Sequence, residues 1–220
     1  MTLVSEAAAP VVEATEAEAT TRAAGGIEQR LVDATLACIA RHGLTKTTID
    51  DIAREAGCSR ATVYRYARNK RELASRALRS ESERILGACR AAADIEPTLE
   101  DAVYAIFVVA GRELSQHAAL RFVADHEPEI ILPHLTFAGG DRFLRNVADA
   151  LAPSLERFLG ERAHRAAEWI TRLGLAMWLS PTAPVSFTDD EALRAYVHEF
   201  VAPAIRPVTP SVTVSSAPPV

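Results

Sequence analysis

The sequence predicts an all-α protein, and three observations carry that reading. Apolar residues recur at intervals of three and four along most of 27–204, the period of helices that bury one face. Ser, Thr and Asp stand ahead of these runs as helix starts, while Gly and Pro punctuate their ends. No convincing strand intervenes between them.

Taken in order, Ile27, Leu31, Ala34 and Cys38 mark one face of a first helix that ends at Gly43. Thr47 with Asp50 reads as a capping arrangement for a second helix, and Ser59 as the N-cap of a third. Leu73, Ala77 and Leu78 begin a fourth that runs past Ile85. Thr98 with Asp101 opens a helix carrying Val103, Ile106, Phe107, Ala110 and Leu114, and a further segment follows through Leu120 and Val123. Pro128 and Pro133 interrupt the pattern, which resumes over 141–151 and 153–179, with Gly139, Gly140 and Pro181 as punctuation. Thr188 with Glu191 forms a capping box before the apolar stripe Leu193, Tyr196, Val197, Phe200, Val201 and Ala204. Residues 1–26 read as a disordered leader and 205–220 as a disordered tail, because neither offers a packed core.

The segment 47–73 has a steric logic of its own. Two helices that meet at a tight turn need a small residue where they cross and one free to take positive φ in the turn, and Ala53 and Gly57 fill those places. Ile49, Ile52 and Ala56 on the first helix and Val63 and Tyr66 on the second give the pair a shared core. Such features also build an αα-hairpin with no nucleic-acid role. The outward face of the second helix tips the balance: Arg60, Thr62, Tyr64 and Arg65 gather around its N-terminus and exposed side. Arginine pairs bidentately with guanine, hydroxyls reach phosphate or base edges, and free N–H groups at a helix start favour phosphate.

The run Gly43, Thr47-Thr48-Ile49, Asp51-Ile52-Ala53, Ala56-Gly57, Ser59, Thr62, Tyr64, Tyr66, Lys70 and Leu73 resembles the TetR family of bacterial transcriptional regulators. The resemblance is gap-free over 27–73, and the remainder matches in outline. It implies a three-helix helix-turn-helix DNA-binding domain at 27–73, followed at 74–204 by a helical-bundle effector-binding and dimerisation domain. It also implies a cytoplasmic homodimer on a palindromic operator, commonly a repressor that a small effector releases. By the same resemblance, Thr48, Ser59, Arg60, Ala61, Thr62, Tyr64, Arg65, Tyr66 and Lys70 face DNA. Three positions depart from the family pattern: Ala67 replaces an aromatic, Arg68 a proline or small residue, and Ala61 a frequent glycine. Ala67 should leave the junction with the next helix looser or filled from elsewhere, and Arg68 adds a phosphate-reaching cation.

The net charge of −5 argues against nucleic acid until the chain is divided. Residues 27–76 hold ten basic and six acidic side chains, a local +4 that leaves −9 for the rest. A basic module on an acidic body favours one docking orientation on a polyanion.

Cys38, Cys58 and Cys89 show neither CxxC nor Cys/His metal spacing, as expected in a reducing compartment. No run approaches the roughly 18 apolar residues of a membrane span, and the amino terminus lacks a signal peptide's basic start and apolar core. G-x-S-x-G, P-loop, G-x-G-x-x-G and H-E-x-x-H motifs are all missing, so neither an enzyme nor a cofactor or metal is expected.

The stripe from Leu193 onward faces a partner run of Ala166, Trp169, Ile170, Leu173, Gly174, Ala176 and Met177, whose small residues permit close helix approach. Pattern alone also fits monomer core. The family resemblance assigns Trp169, Leu173, Met177, Leu193, Tyr196, Val197 and Phe200 to a dimer interface. The central helices could line an apolar effector pocket through Phe107, Phe122, His126, Leu135, Phe143 and Trp178, with Leu132 and Phe137 nearby. Asp125, His126, Glu127, Glu129 and His134 concentrate titratable groups beside prolines, suited to a ligand's polar end; their spacing fits no metal motif.

Overall fold

The computed structural model describes residues 11–135, 137–179, 186–187 and 189–206, without the side chains of 11–25, 131 and 133–141. Among the described residues it is helical throughout, with no strand. The helices are α1 (Val11–Lys46), α2 (Ile49–Glu55), α3 (Arg60–Tyr66), α4 (Lys70–Asp94), α5 (Leu99–Gln116), α6 (Ala118–His126), α7 (Pro128–Leu135), α8 (Phe137–Leu159) and α9 (Ala163–Leu179). The chain then passes through α10 (Asp190–Tyr196), a π-helical turn (Val197–Val201) and α11 (Ala202–Ile205).

The chain packs into two units: Met1–Glu83 with His117–Ile130, and Arg84–Gln116 with Ile131–Val220. The division falls inside α4 rather than at 73/74, and it gives α6 to the first unit, where this helix packs against α1.

In the first unit Leu31, Ala34, Cys38, Ile52, Ala53, Val63, Ala67 and Leu73 form a continuous core, with Ile27, Ile49, Cys58 and Tyr66 packed on it. Ala67 is buried there, so the residue that departs from the family's aromatic sits in a closed junction. α1 begins well upstream of Ile27 and passes through Gly25 and Gly26, consistent with the helix propensity of an Ala- and Glu-rich segment. Its helical geometry breaks at Gly43.

In the second unit α8 and α9 lie side by side and α5 packs on both. Two expected boundaries shift. α8 continues through Pro153, with Leu151, Ala152, Ser154 and Leu155 buried around it, so packing carries the helix past the missing N–H. The break comes at Gly160, whose φ of 54° starts a 3-10 turn before α9. α10 is capped by Asp189, which accepts from Ala192 N at 3.0 Å; Thr188 lies outside the described residues. The π-helical turn stands just ahead of Pro203, where a widened helix eases the clash of the ring with the preceding turn. Arg157 caps α4, donating to the carbonyls of Ala93 (2.8 Å), Asp94 (2.8 Å) and Glu96 (2.6 Å).

Of the residues expected at a dimer interface, Leu193 and Val197 are fully buried within the single chain. The helical period puts them a turn apart on the inward face, while Trp169 and Phe200 remain 41% and 56% exposed. Leu173, Met177 and Tyr196 are half-buried.

Candidate nucleic-acid interface

α2 and α3 are written locally. Thr48 is the N-cap of α2: its hydroxyl accepts from Asp51 N at 3.2 Å, and Asp51 accepts from Thr48 N at 3.1 Å. The capping pair is therefore shifted one residue from the expected Thr47 and Asp50. Thr47 is buried and turned inward, its hydroxyl donating to Gly43 O at 2.6 Å. The bonds from Thr48 hold the Asp51 carboxyl below the usual carboxylate range.

The turn between the helices uses Gly57 at φ 62°, and Cys58 N donates to Ala53 O at 3.0 Å. A Cβ at Gly57 would meet nothing within 4 Å, so the requirement there is conformational and not spatial. Ser59 caps α3, accepting from Thr62 N at 3.1 Å, with the Ser59 and Thr62 hydroxyls 3.0 Å apart. Val63 is fully buried beneath α3 and locks it onto Ile52 and Ala53 of α2.

Packing Val63 inward leaves Arg60, Ala61, Tyr64 and Arg65 exposed, with Thr62 and Tyr66 half-buried. Arg60 is held by Asp50 of α2, Nε to Oδ1 at 2.8 Å, with both side chains open to solvent. A groove of about 280 Å³ at the end of α3 is lined by Tyr64, Arg65, Arg68 and Arg76 together with Glu72. Glu72 accepts from Arg68 N and from Arg76, and these bonds hold its carboxyl below the usual range. Of the expected DNA-facing residues, Thr48, Ser59, Arg60, Ala61, Tyr64 and Arg65 are exposed and Thr62 is half-buried, whereas Tyr66 packs on the core and Lys70 is engaged elsewhere.

The Lys70 ammonium donates to the carbonyls of Leu44 (2.8 Å) and Thr45 (2.9 Å). The amides of the same two residues donate to Glu127, Leu44 N to Oε2 at 2.6 Å and Thr45 N to Oε1 at 3.0 Å. Glu127 follows the last residue of α6 and is only 8% exposed. Burial pushes its carboxyl up, but the bonds from Thr45 and Leu44 and the nearby Lys70 outweigh that and hold it low. By sequence Glu127 groups with a polar end for a ligand; its carboxylate is instead committed to α1's terminal turn. Of its neighbours, Asp125, His126 and Glu129 are exposed, and the side chain of His134 lies outside the described residues.

The expected effector-contacting residues divide between the units. Phe122 and His126 belong to the first, where their rings stack with centroids 4.6 Å apart. Phe107, Phe143 and Trp178 belong to the second. Phe107 is buried with its ring 6.2 Å from that of Phe187, while Phe143 and Trp178 are half-buried. The side chain of Leu135 lies outside the described residues. Among the described residues no three metal-ligating side chains cluster, and no helix is long and apolar enough to cross a membrane.

Residues 31–77 match the model of the family described as bacterial regulatory proteins, tetR family. In fold the chain is similar to the TetR-family repressor AlkX from Dietzia sp., implicated in biodegradation of n-alkanes. The TM-score is 0.62 at 22% identity, over 81% of this chain and 94% of that one. It is also similar to the fatty acid degradation regulator FadR from Bacillus halodurans, with a TM-score of 0.56 at 16% identity over 78% and 98% of the two chains. A TetR-family regulator from Streptomyces coelicolor A3 gives 0.53 at 18% identity, over 81% and 94%. No curated protein matches the chain by sequence. The solved structures speak for the fold, and the family model matches the capped, glycine-turned helix pair and its flanks at 31–77 to the tetR family of bacterial regulatory proteins.

Proposed function

We propose that the chain acts as a homodimeric repressor that binds a palindromic operator and is released by a small, largely apolar effector. The observation that carries this reading is the outer face of α3. Arg60, Ala61, Tyr64 and Arg65 stand exposed on a short helix whose N-terminus is capped by Ser59 and whose inner face is fixed by Val63. A rigid helix of this kind places side chains at base edges in a major groove, while Thr48 at the start of α2 and Arg68 after α3 reach phosphates.

Dimerisation is supported by Trp169 and Phe200, large aromatics left open on a single chain, with the Tyr196 ring tilted against Phe200 at a centroid distance of 5.5 Å. Two copies related by a two-fold axis would present two α3 helices to a two-fold symmetric site. An effector that prefers a form of the dimer with the wrong half-site spacing lowers operator affinity by that preference and no more.

The test is selection of duplexes from a random-sequence library by the full chain, followed by anisotropy titration and sedimentation of the complex. The reading expects a two-fold symmetric site bound by two copies, and salt-sensitive affinity. Dodecane, palmitate and other apolar compounds are then titrated against the complex. Phe200→Asp should give monomers and weaken binding to the full site. A selected site without symmetry, or a single bound copy, would defeat the dimeric reading.

A further inference from the structure

We infer that Glu127 is a positioning residue for DNA binding: with Lys70 it clamps the Leu44–Thr45 dipeptide from both sides and thereby sets the angle at which α2 and α3 leave α1. This rests on the DNA-reading role of α3.

Four hydrogen bonds converge on two consecutive residues, Glu127 taking their N–H groups and Lys70 their carbonyls. Thr47 closes the same turn on Gly43, through its N–H at 3.2 Å and its hydroxyl at 2.6 Å. The turn leads directly into Thr48, the N-cap of α2, and α2 carries α3 through Ile52, Ala53 and Val63. A rotation at residues 44–45 therefore moves the whole helix pair as one body.

The local chemistry is costly unless the clamp is needed. A carboxylate this buried loses hydration, and Glu127 bears that cost at 8% exposure. Gly43 shows the same constraint from the other side. Its φ of 79° and ψ of 165° lie in a region essentially confined to glycine, and a Cβ there would come within 2.7 Å of Glu127 Oε1 and of Phe122. Backbone and carboxylate are thus fitted at van der Waals limits, with no room for a side chain between them.

Glu127→Gln keeps the shape but offers one carbonyl and one NH2 to two N–H donors, so one of the four bonds is lost and an amide faces an amide. Gly43→Ala displaces the carboxylate sterically and leaves its charge intact. The full chain, both variants and a duplex selected by the wild type are compared by anisotropy over a range of salt, at a temperature where circular dichroism shows each protein folded. Amide exchange is read at Leu44, Thr45 and Val63. The expected result for each variant is affinity lower by about tenfold with an unchanged salt slope. In Glu127→Gln, exchange should quicken at Leu44 and Thr45 but not at Val63. A folded Glu127→Gln that exchanges faster at those amides yet binds within about twofold of wild type overturns the inference. So does an affinity loss accompanied by a slope reduced by about one, the mark of a missing phosphate contact. No complex with the wild type itself overturns the DNA reading and the inference together, so the two failures are told apart in one titration.

Discussion

Asp50 holds Arg60 at 2.8 Å across the α2–α3 turn, so the first arginine of the exposed helix face meets an acid of its own domain before it meets DNA. Both side chains are largely exposed, and a pair of this kind contributes about 0–1 kcal/mol to stability. Its effect on a polyanionic partner is larger than its effect on folding, because Asp50 both repels phosphate and occupies the guanidinium. Asp50→Asn should therefore tighten DNA binding by about three- to tenfold at low salt, with the gain shrinking as salt rises. Arg60→Ala should weaken binding and reduce sequence selectivity. Anisotropy on selected and scrambled duplexes measures both. Equal affinity of Asp50→Asn and wild type at low salt would show that the pair is retained in the complex.

The two positive-φ glycines of the first unit should respond differently to alanine. Gly57 has open space around it, so Gly57→Ala is charged only for a left-handed backbone, about 1–2 kcal/mol. Gly43→Ala adds a steric conflict with Glu127 and Phe122 and should lose more stability. Ser59→Ala removes the bond to Thr62 N and should cost about 1 kcal/mol, or roughly 2–4 °C in melting temperature. Thermal melts of the three variants should place Gly43→Ala below both Gly57→Ala and Ser59→Ala. Equal melting temperatures for the two glycine variants would mean that the contact with Glu127 and Phe122 relaxes without cost.

What can be read from the residues follows the range of the interactions. The turn at Gly57, the cap at Ser59 and the plug at Val63 are set by neighbours within a few positions, and the structure has all three. Caps slip by one residue where two candidates compete: Thr47 and Thr48 are each followed three residues later by an aspartate, and only burial of Thr47 separates them. Pro153 is a weaker break than its residue type suggests, because packing carries α8 through it, and Gly160 is a stronger one. Leu193 and Phe200 belong to one apolar stripe by spacing, yet one is core and the other surface, because the width of a buried face depends on what packs against it. The Glu127 clamp is illegible for a simpler reason: its partners lie 82 and 83 residues away, and no local pattern records such a pairing.

The Glu127 carboxyl, held low by Thr45, Leu44 and Lys70 against the opposing effect of burial, ties stability to acid pH. A carboxyl whose folded value lies below its unfolded one stabilises the protein fully above the unfolded value. That contribution is lost as pH falls through the folded value. The window here opens below pH 4.5, the ordinary glutamate value, and extends downward. Glu72 shifts in the same direction within the same window, and Asp51 does so below its ordinary value of 3.8. Urea melts from pH 7 to pH 3 should show Glu127→Gln less stable than wild type at neutral pH, with the gap closing below pH 4.5. A gap that stays constant to pH 3 would mean the charge on Glu127 contributes nothing to folding.

The cysteines should divide by burial. Cys89 is buried against the Ile106 carbonyl, Sγ to O at 3.8 Å, and desolvation pushes its thiol up to about 11. Burial raises Cys38 as well, against the lowering effect of Arg41. Cys58, in the turn before α3, is half-buried and so the most accessible of the three. Iodoacetamide at pH 8 should therefore label Cys58 in the folded protein and reach Cys38 and Cys89 only after denaturation, with mass spectrometry of peptides as the readout. Cys89 also fixes an alkaline limit. Its folded value lies above the ordinary 9.0, so its contribution is complete below pH 9 and declines as pH rises toward 11. Over that span the loss amounts to about 3 kcal/mol. Urea melts between pH 8 and pH 11 should show that decline in the wild type and a shallower one in Cys89→Ala, whose baseline stability is lower. Parallel curves for the two proteins would assign the alkaline loss to other groups.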